Sequence, residues 1–507
     1  MSENAVRVSN SPNNAESETI QAPVDSACVV IHSISSSEIK EVDRPVDLSA
    51  GTSILPETQG DCYPLDVHTP INKIMLQIGM TNRDKSIPPK RSHGCIHKVP
   101  VHFRATGPER YTPRVVSIGP YHHGNADLIV KDGQKKKYMM DLLDRQSAAE
   151  GVIQDIVRNM ANDVLTDVEN IRQCYSEEIT LTNEELVALL VVDGCFLLGL
   201  FYKYLEGKGS TMAGEFLFST NWTMPSLRRD LVLLENQIPF SVMVTLYKHA
   251  PKLLKDPLLD FYTLNEVIGN FFYPILPAPT HEYPEIASTV EGKHVLDLLR
   301  SYLICQFQIP LRKGKGKTLT SHTTSVTNLE EAGIKFKKTK NATCLLNITF
   351  VNGNFEIPPF FMGGETWKTL FSNMIALEQC DADYSKHITS YVRLIDNLIE
   401  SGKDVQRLKK KGIIFKSLME DNEVADMVNS LCKPATDEKF CYDGLCADVN
   451  EYSQNWFNKW SGSLRRNCIG IPWKGLSMGG VVLILFLTFI QTGFTVGQWI
   501  RDTEKGS

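Results

Sequence analysis

The sequence contains no C-x-x-C pair, no H-E-x-x-H and no complete phosphate-binding loop, although it runs to 507 residues. Those absences remove the usual signatures of zinc-ribbon, metalloprotease and P-loop chemistry. A surplus of positive charge is missing too. Its 53 basic and 59 acidic side chains give a formal charge of −6, which argues against a nucleic-acid footprint over a chain this long. The opening stretch MSENAVRVSNSPNNAESETI has no basic segment followed by an apolar one, so no cleaved signal peptide is expected. The 12 cysteines are scattered, several inside apolar runs, as Cys195 and Cys305 are. Buried, reduced thiols and a cytosolic body fit that pattern better than a disulfide framework. Sequons at Asn221, Asn341 and Asn347 would point the other way if the body were lumenal.

Charge is absent most completely from residues 475–500, GLSMGGVVLILFLTFIQTGFTVGQWI, between Lys474 and Arg501. A bilayer core needs roughly 20 mainly apolar helical residues, so a single C-terminal transmembrane helix is expected here, with 501–507 as a short tail. Residues 481–490 are its most apolar part. A span so close to the C-terminus favours insertion after synthesis ends. Lys459, Arg465, Arg466 and Lys474 precede it and Arg501 and Lys505 follow, which favours a cytosolic body. Gly475-x-x-x-Gly479 and Gly493-x-x-x-Gly497 offer close-packing faces for a homo-oligomer. Residues 186–205, LVALLVVDGCFLLGLFYKYL, are nearly as apolar. An Asp at a span's centre costs about 2.5 to 3.5 kcal/mol, so Asp193 turns this stretch into a buried core helix instead.

Residues 1–92 are rich in Ser, Asn, Pro, Asp and Glu and read as a disordered extension, with a short helix at 71–80. A globular domain follows over 93–468. RVVSI at 114–118 reads as a short strand stopped by Gly119-Pro120. Helical spacing recurs at 135–143, 151–174, 230–247, 294–307, 366–377, 388–400 and 424–431. Short β runs occupy 334–336, 345–350 and 355–357, with a hairpin at Asn352-Gly353-Asn354. The fold class is therefore mainly α with a small antiparallel β island, without internal repeats. Basic runs at 135–137 and 409–411 read as solvated helix faces.

No cofactor, metal or catalytic residue is assigned, and each suggestive motif has a structural reading. In the segment Ser117 to Gly124, adjacent His122 and His123 would project to opposite sides and lack a third ligand. The expectation is a turn fixed by Gly119 and Pro120 and docked by Tyr121, His122 and His123, closing at Gly124. In DLVLLENQIPF at 230–240, Pro239 breaks the helix, while Glu235, Asn236 and Gln237 satisfy the freed backbone groups. GKGKT at 314–318 lacks the first glycine and the leading strand of a phosphate loop and reads as an exposed loop. His93-Gly94-Cys95-Ile96-His97 likewise falls short of a metal set.

Together these blocks resemble the plant family of domain of unknown function 247. The resemblance is carried by CIHKVP at 95–100, the 117–124 block, DGCF at 193–196 and LENQIPF at 234–240. It continues through HVLDLL at 294–299, LEEAGIKF at 329–336, IPP at 357–359 and ALEQC at 376–380, covering roughly 95–500. Departures at Gly133 to Lys136 and at Asn347 argue against a charge-dependent role at either place. The resemblance implies a plant membrane-associated protein, single-pass in the plasma membrane or an endomembrane, without an established activity. Some relatives are linked to pollen and stigma self-incompatibility in grasses, so the expected role is protein interaction or signalling. Its partners would be the bilayer and unidentified proteins, not nucleic acid. The alternative is a membrane-tethered enzyme, such as a hydrolase using His122 or His123 with Glu235.

Overall fold

The computed structural model describes residues 94–144, 150–207, 216–218, 220–249, 262–277, 290–308, 323–415, 419–433, 435, 440–454 and 472–504. The expected helix at 71–80, the extension 1–92 and the loop at 314–318 lie outside them. In chain order the helices begin with α1 Val101–Arg104, α2 Asp132–Leu143, α3 Glu150–Thr166, α4 Val168–Gln173 and α5 Asn183–Glu206. Next come α6 Thr223–Asp230, α7 Phe240–His249, α8 Leu264–Phe272, α9 Val295–Ile304 and α10 Val326–Glu331. The series ends with α11 Glu365–Cys380, α12 His387–Leu398, α13 Gly402–Lys410, α14 Asp421–Asn429, α15 Asp443–Gln454 and α16 Pro472–Glu504. The fold is mainly helical with two small sheets.

Helix α5 is the axis of the first half. The Thr182 hydroxyl accepts the Glu185 N–H at 3.3 Å and the Glu185 carboxylate accepts the Thr182 N–H at 2.9 Å, a capping box that fixes its start. Beyond that first turn it is apolar on nearly every side, which suits a helix wrapped by others. Helices α2, α3, α7 and α8 pack around it, and 83% of its most apolar stretch is buried. The core-helix reading of 186–205 holds. Gly194 sets the approach of α7, since a Cβ there would strike Leu246. The second half centres on α11 and α12, flanked by α6, α9 and α14, with Trp367, Phe371 and Tyr391 among its buried aromatics. A continuous hydrophobic core joins the two.

The β island differs from the expected antiparallel arrangement. Strands β1 Lys335–Lys338, β2 Thr349–Val351 and β3 Asn354–Ile357 lie in the order β1-β3-β2, with β1 parallel and β2 antiparallel to β3. The loop after β1 carries the chain past the middle position, so the hairpin returns β3 beside β1 in the same direction. The hairpin itself is as expected: Asn352 and Gly353 both take positive φ, 49° and 76°, the pair a tight two-residue turn demands. Strands β4 Phe360–Phe361 and β5 Ile414–Phe415 form a second, parallel pair. Two-residue strands carry no readable period, which is why this pair was not foreseen.

Two further expectations are corrected. Residues 230–247 are not one helix: α6 ends at Asp230, α7 starts at Phe240, and the intervening residues are buried without being helical. RVVSI at 114–118 is not a strand. The reason lies in the polar groups of the same 230–240 segment.

Candidate functional site

A buried segment normally meets its backbone needs through a helix or a sheet ladder. Residues 114–119 meet most of theirs through side chains, the Val115 carbonyl alone accepting a backbone N–H, that of Val130 at 2.8 Å, among the bonds of the described residues. One carboxylate oxygen of Asp230, Oδ2, accepts the N–H groups of Arg114, Val115 and Val116 at 2.8, 2.5 and 3.1 Å. The Asn236 amide continues the pattern, its Oδ1 accepting the Ile118 N–H at 2.7 Å while its Nδ2 donates to Val116 O and Asp230 O. Asp230 and Asn236 thus act as the missing sheet partner. Burial pushes the Asp230 carboxyl above its ordinary range, against the pull of those N–H groups and of Arg229.

Asp193 holds the next residue along. Its Oδ2 accepts the Gly119 N–H at 2.9 Å, and its Oδ1 accepts from Lys135 Nζ at 2.6 Å; Lys135 Nζ also donates to Ser117 O at 2.6 Å. Lys135 is fully buried, so one member of the basic run at 135–137 belongs to the core and does carry a charge role, while Lys136 and Lys137 are exposed. A single helix turn with one inward and two outward lysines has no sign in a charge count. Burial pushes the Asp193 carboxyl up despite Lys135. Gly119 takes φ +74°, and a Cβ there would run into Gln237 O. The expected Gly-Pro turn exists as a short 3-10 helix, Pro120–His122.

Gln237 ties the segment to the second half of the fold. Its Nε2 donates to Leu231 O and Leu233 O, both at 2.9 Å, and its Oε1 accepts the Leu296 N–H at 3.2 Å at the start of α9. Leu234 N–H donates to Asn373 Oδ1 of α11 at 2.9 Å. Phe240, first in α7 after Pro239, donates its N–H to Lys293 O at 2.8 Å. Nearby, His294 caps α9: its Nδ1 accepts the Asp297 N–H at 3.3 Å and its Nε2 lies 3.1 Å from Cys95 O. Burial lowers the His294 pKa to about 4, so the ring is neutral and Nε2 is its donor.

Glu235 is the best candidate for chemistry on residue type, and its surroundings are specific. Its Oε1 accepts the Val99 N–H at 2.6 Å and Arg104 at 2.5 Å, while Lys98 Nζ and His122 Nε2 lie 3.8 and 3.5 Å from its Oε2. Burial alone would raise this carboxyl, but His122, the Val99 N–H and Arg104 pull it down to about 2. The fold therefore brings Glu235 and His122 together. His123 goes elsewhere: it is exposed, on the wall of a cavity of about 280 Å³ shared with Lys136, Glu185 and Leu189. Tyr121 docks the turn, its hydroxyl donating to Ile96 O at 3.3 Å and accepting the Glu177 N–H at 3.1 Å, with Lys98 Nζ 4.3 Å from its ring centre. Gly124 is exposed and takes positive φ.

Another buried ion pair was not singled out from the sequence. Arg300 Nε donates to Glu378 Oε1 at 2.9 Å, and the Glu378 carboxylate also accepts the N–H groups of Ile388 and Thr389 at the start of α12. Charged residues inside apolar helical runs, as in HVLDLLR and ALEQC, were the available signal. Among the described residues no group of three or more His, Cys, Asp or Glu side chains is placed to hold a metal ion.

The model of the family described as "Plant protein of unknown function" matches residues 96–487, a stretch that holds the clamping side chains just described. A UPF0481 protein of Arabidopsis thaliana is 29% identical over 436 residues, 82% of this chain and 88% of its own. A putative UPF0481 protein of the same plant is 24% identical over 484 residues, 78% of this chain and 89% of its own. No solved structure matches significantly.

Proposed function

Because the chain belongs to the plant family of domain of unknown function 247, whose activity is not established, we propose that it is a membrane-anchored protein-interaction or signalling component. The proposed organisation is an extension at 1–92, a body at 93–468, a span at 475–500 and a tail at 501–507. One observation supports the anchor above all. Helix α16 turns Leu483, Ile484, Leu485, Phe486, Phe489 and Phe494 outward, each between 58% and 80% exposed. Contiguous apolar side chains at that exposure call for an apolar surrounding. The α5 stretch, equally apolar in sequence, is already consumed by the core.

The enzyme alternative has less behind it. His122 and Glu235 do meet, but Glu235 is 2% exposed and already surrounded by donors, and His123 lies on the wall of a cavity that neither of them lines. A carboxyl held near 2 is a poor proton acceptor at neutral pH. The polar segment 230–237 reads as scaffolding that fixes the surface from which partners are recognised.

Membrane fractions test the anchor. The full chain should stay in the pellet through alkaline carbonate washing, and a chain ending at Lys474 should appear in the supernatant. A truncated chain that remains with the membranes, or a full chain released by carbonate, overturns the reading. In sealed vesicles an outward-facing cytosolic body should be digested by added protease. Glycans on Asn221 or Asn341 would reverse that orientation. Asn347 is a poor acceptor in the folded body because its amide already bonds Gln308 N and Gln306 O at 3.0 Å each. Proximity labelling from the intact and truncated chains would then identify partners that depend on anchoring.

Self-association through the span is a separate expectation. A Cβ at Gly493 or Gly497 would meet nothing within 4 Å, so these positions are free to pack against a second helix. Gly493→Ile with Gly497→Ile should lower the crosslinked dimer several-fold. An unchanged dimer would retire the idea.

A further inference from the structure

The geometry points to a binding site for a multiply phosphorylated ligand in the cleft between α13 and the C-terminal end of α10. Helix α13 buries Val405 and Leu408 and turns a polar face outward. That face and the following turn line a cleft of about 530 Å³ with Lys403, Gln406, Arg407, Lys410 and Lys411, opposite Glu330. Four cations therefore meet one carboxylate in a space large enough for a phosphorylated sugar ring, on a protein whose overall charge is −6.

How the cations are paired separates this face from an ordinary solvated one. Lys409, on the side toward α14, is matched one to one, with Asp421 at 2.6 Å. In the cleft, Glu330 is shared between Arg407 at 2.5 Å and Lys411 at 3.5 Å. No ion pair at Lys403 or Lys410 is found among the described residues. The stem of Lys338 of β1 passes beside Gly412, just after the helix. Convergent lysines supply point charges and Arg407 a planar fork, a combination suited to several phosphate groups held close together.

Two sources share this chemistry: the headgroup of a phosphoinositide in the membrane that holds the chain, and a soluble inositol phosphate. The first source rests on the anchor proposed above; the cleft itself does not.

The test uses the full chain in nanodiscs and reads the rate of amine acetylation at Lys403, Lys410 and Lys411 by mass spectrometry, with exposed Lys137 as the internal control. One arm has phosphatidylcholine alone, one adds phosphatidylinositol 4,5-bisphosphate, and one adds soluble inositol trisphosphate to phosphatidylcholine discs. The expected result is slower acetylation of the cleft lysines in at least one phosphorylated arm, with Lys137 unchanged. Which arm protects identifies the source. Lys403→Ala with Lys410→Ala should weaken that protection about 25-fold in ligand concentration, at about fivefold per lysine. Equal acetylation rates in all three arms overturn the proposal. Failure of the chain to enter the discs would count against the anchor, and protection by soluble trisphosphate would still support the cleft.

Discussion

Lys135→Met is expected to destabilise the body by about 3 to 5 kcal/mol, the usual cost of leaving one member of a buried ion pair alone. Methionine matches the length of the lysine stem and fills the same space, so packing changes little. What changes is that Asp193 loses the partner at 2.6 Å and Ser117 O loses its donor. Burial already holds the Asp193 carboxyl above its ordinary range. Without Lys135 it rises further, the folded state holds that proton more tightly than the unfolded chain, and the added loss grows as pH increases. The second substitution isolates the charge. Asp193→Asn removes the stranded anion yet keeps an oxygen for the Gly119 N–H, so the double variant should recover more than half of the loss. The denaturant midpoint of the full chain in mild detergent reads both effects. If Lys135 were only part of a solvated face, the single substitution would fall within about 0.5 kcal/mol of the parent. If the double variant were no better than the single one, packing rather than charge would be the cause.

That pair also shows where sequence reading succeeds and where it stops. Strong, local signals carried the larger helices and the Asn352-Gly353 turn, because apolar spacing and left-handed turn residues act within a few positions. Sequence also assigned 186–205 to the core, since an Asp at its centre would be costly in a span. What it did not supply was the partner. Lys135 lies 58 positions away from Asp193, and Asp230 lies more than a hundred from the N–H groups it binds. A side chain that replaces a sheet edge leaves the composition of the served segment unaltered, so RVVSI kept the look of a strand. A turn at Gly119-Pro120 and an interruption before Pro239 were legible; that His123 stays exposed, that the interruption covers 231–239 and that Gly119 is pressed against Gln237 O were not, because contact between two irregular segments has no period. The parallel pairing of β1 with β3 was hidden for the same reason.

Glu235→Gln is expected to lower stability by about 3 kcal/mol at neutral pH, the value of a carboxyl pKa displaced from its usual 4.5 to about 2. The sign follows from the direction of the shift. A carboxyl that is more acidic folded than unfolded stabilises the fold above its unfolded pKa, and that contribution drains away as pH falls from about 4.5 to about 2. Glutamine can still accept the Val99 N–H, but it cannot answer the charges of Arg104 and Lys98. The gap between parent and variant should therefore be widest at neutral pH and close in acid. Asp193 and Asp230 shift the opposite way, so the parent's own pH profile mixes signs and only the difference between the two proteins isolates Glu235. A flat difference would mean that the carboxylate is not spent on holding the 98–104 segment. It would then be available to His122 for proton transfer, and the enzyme reading would regain the ground that the geometry now denies it.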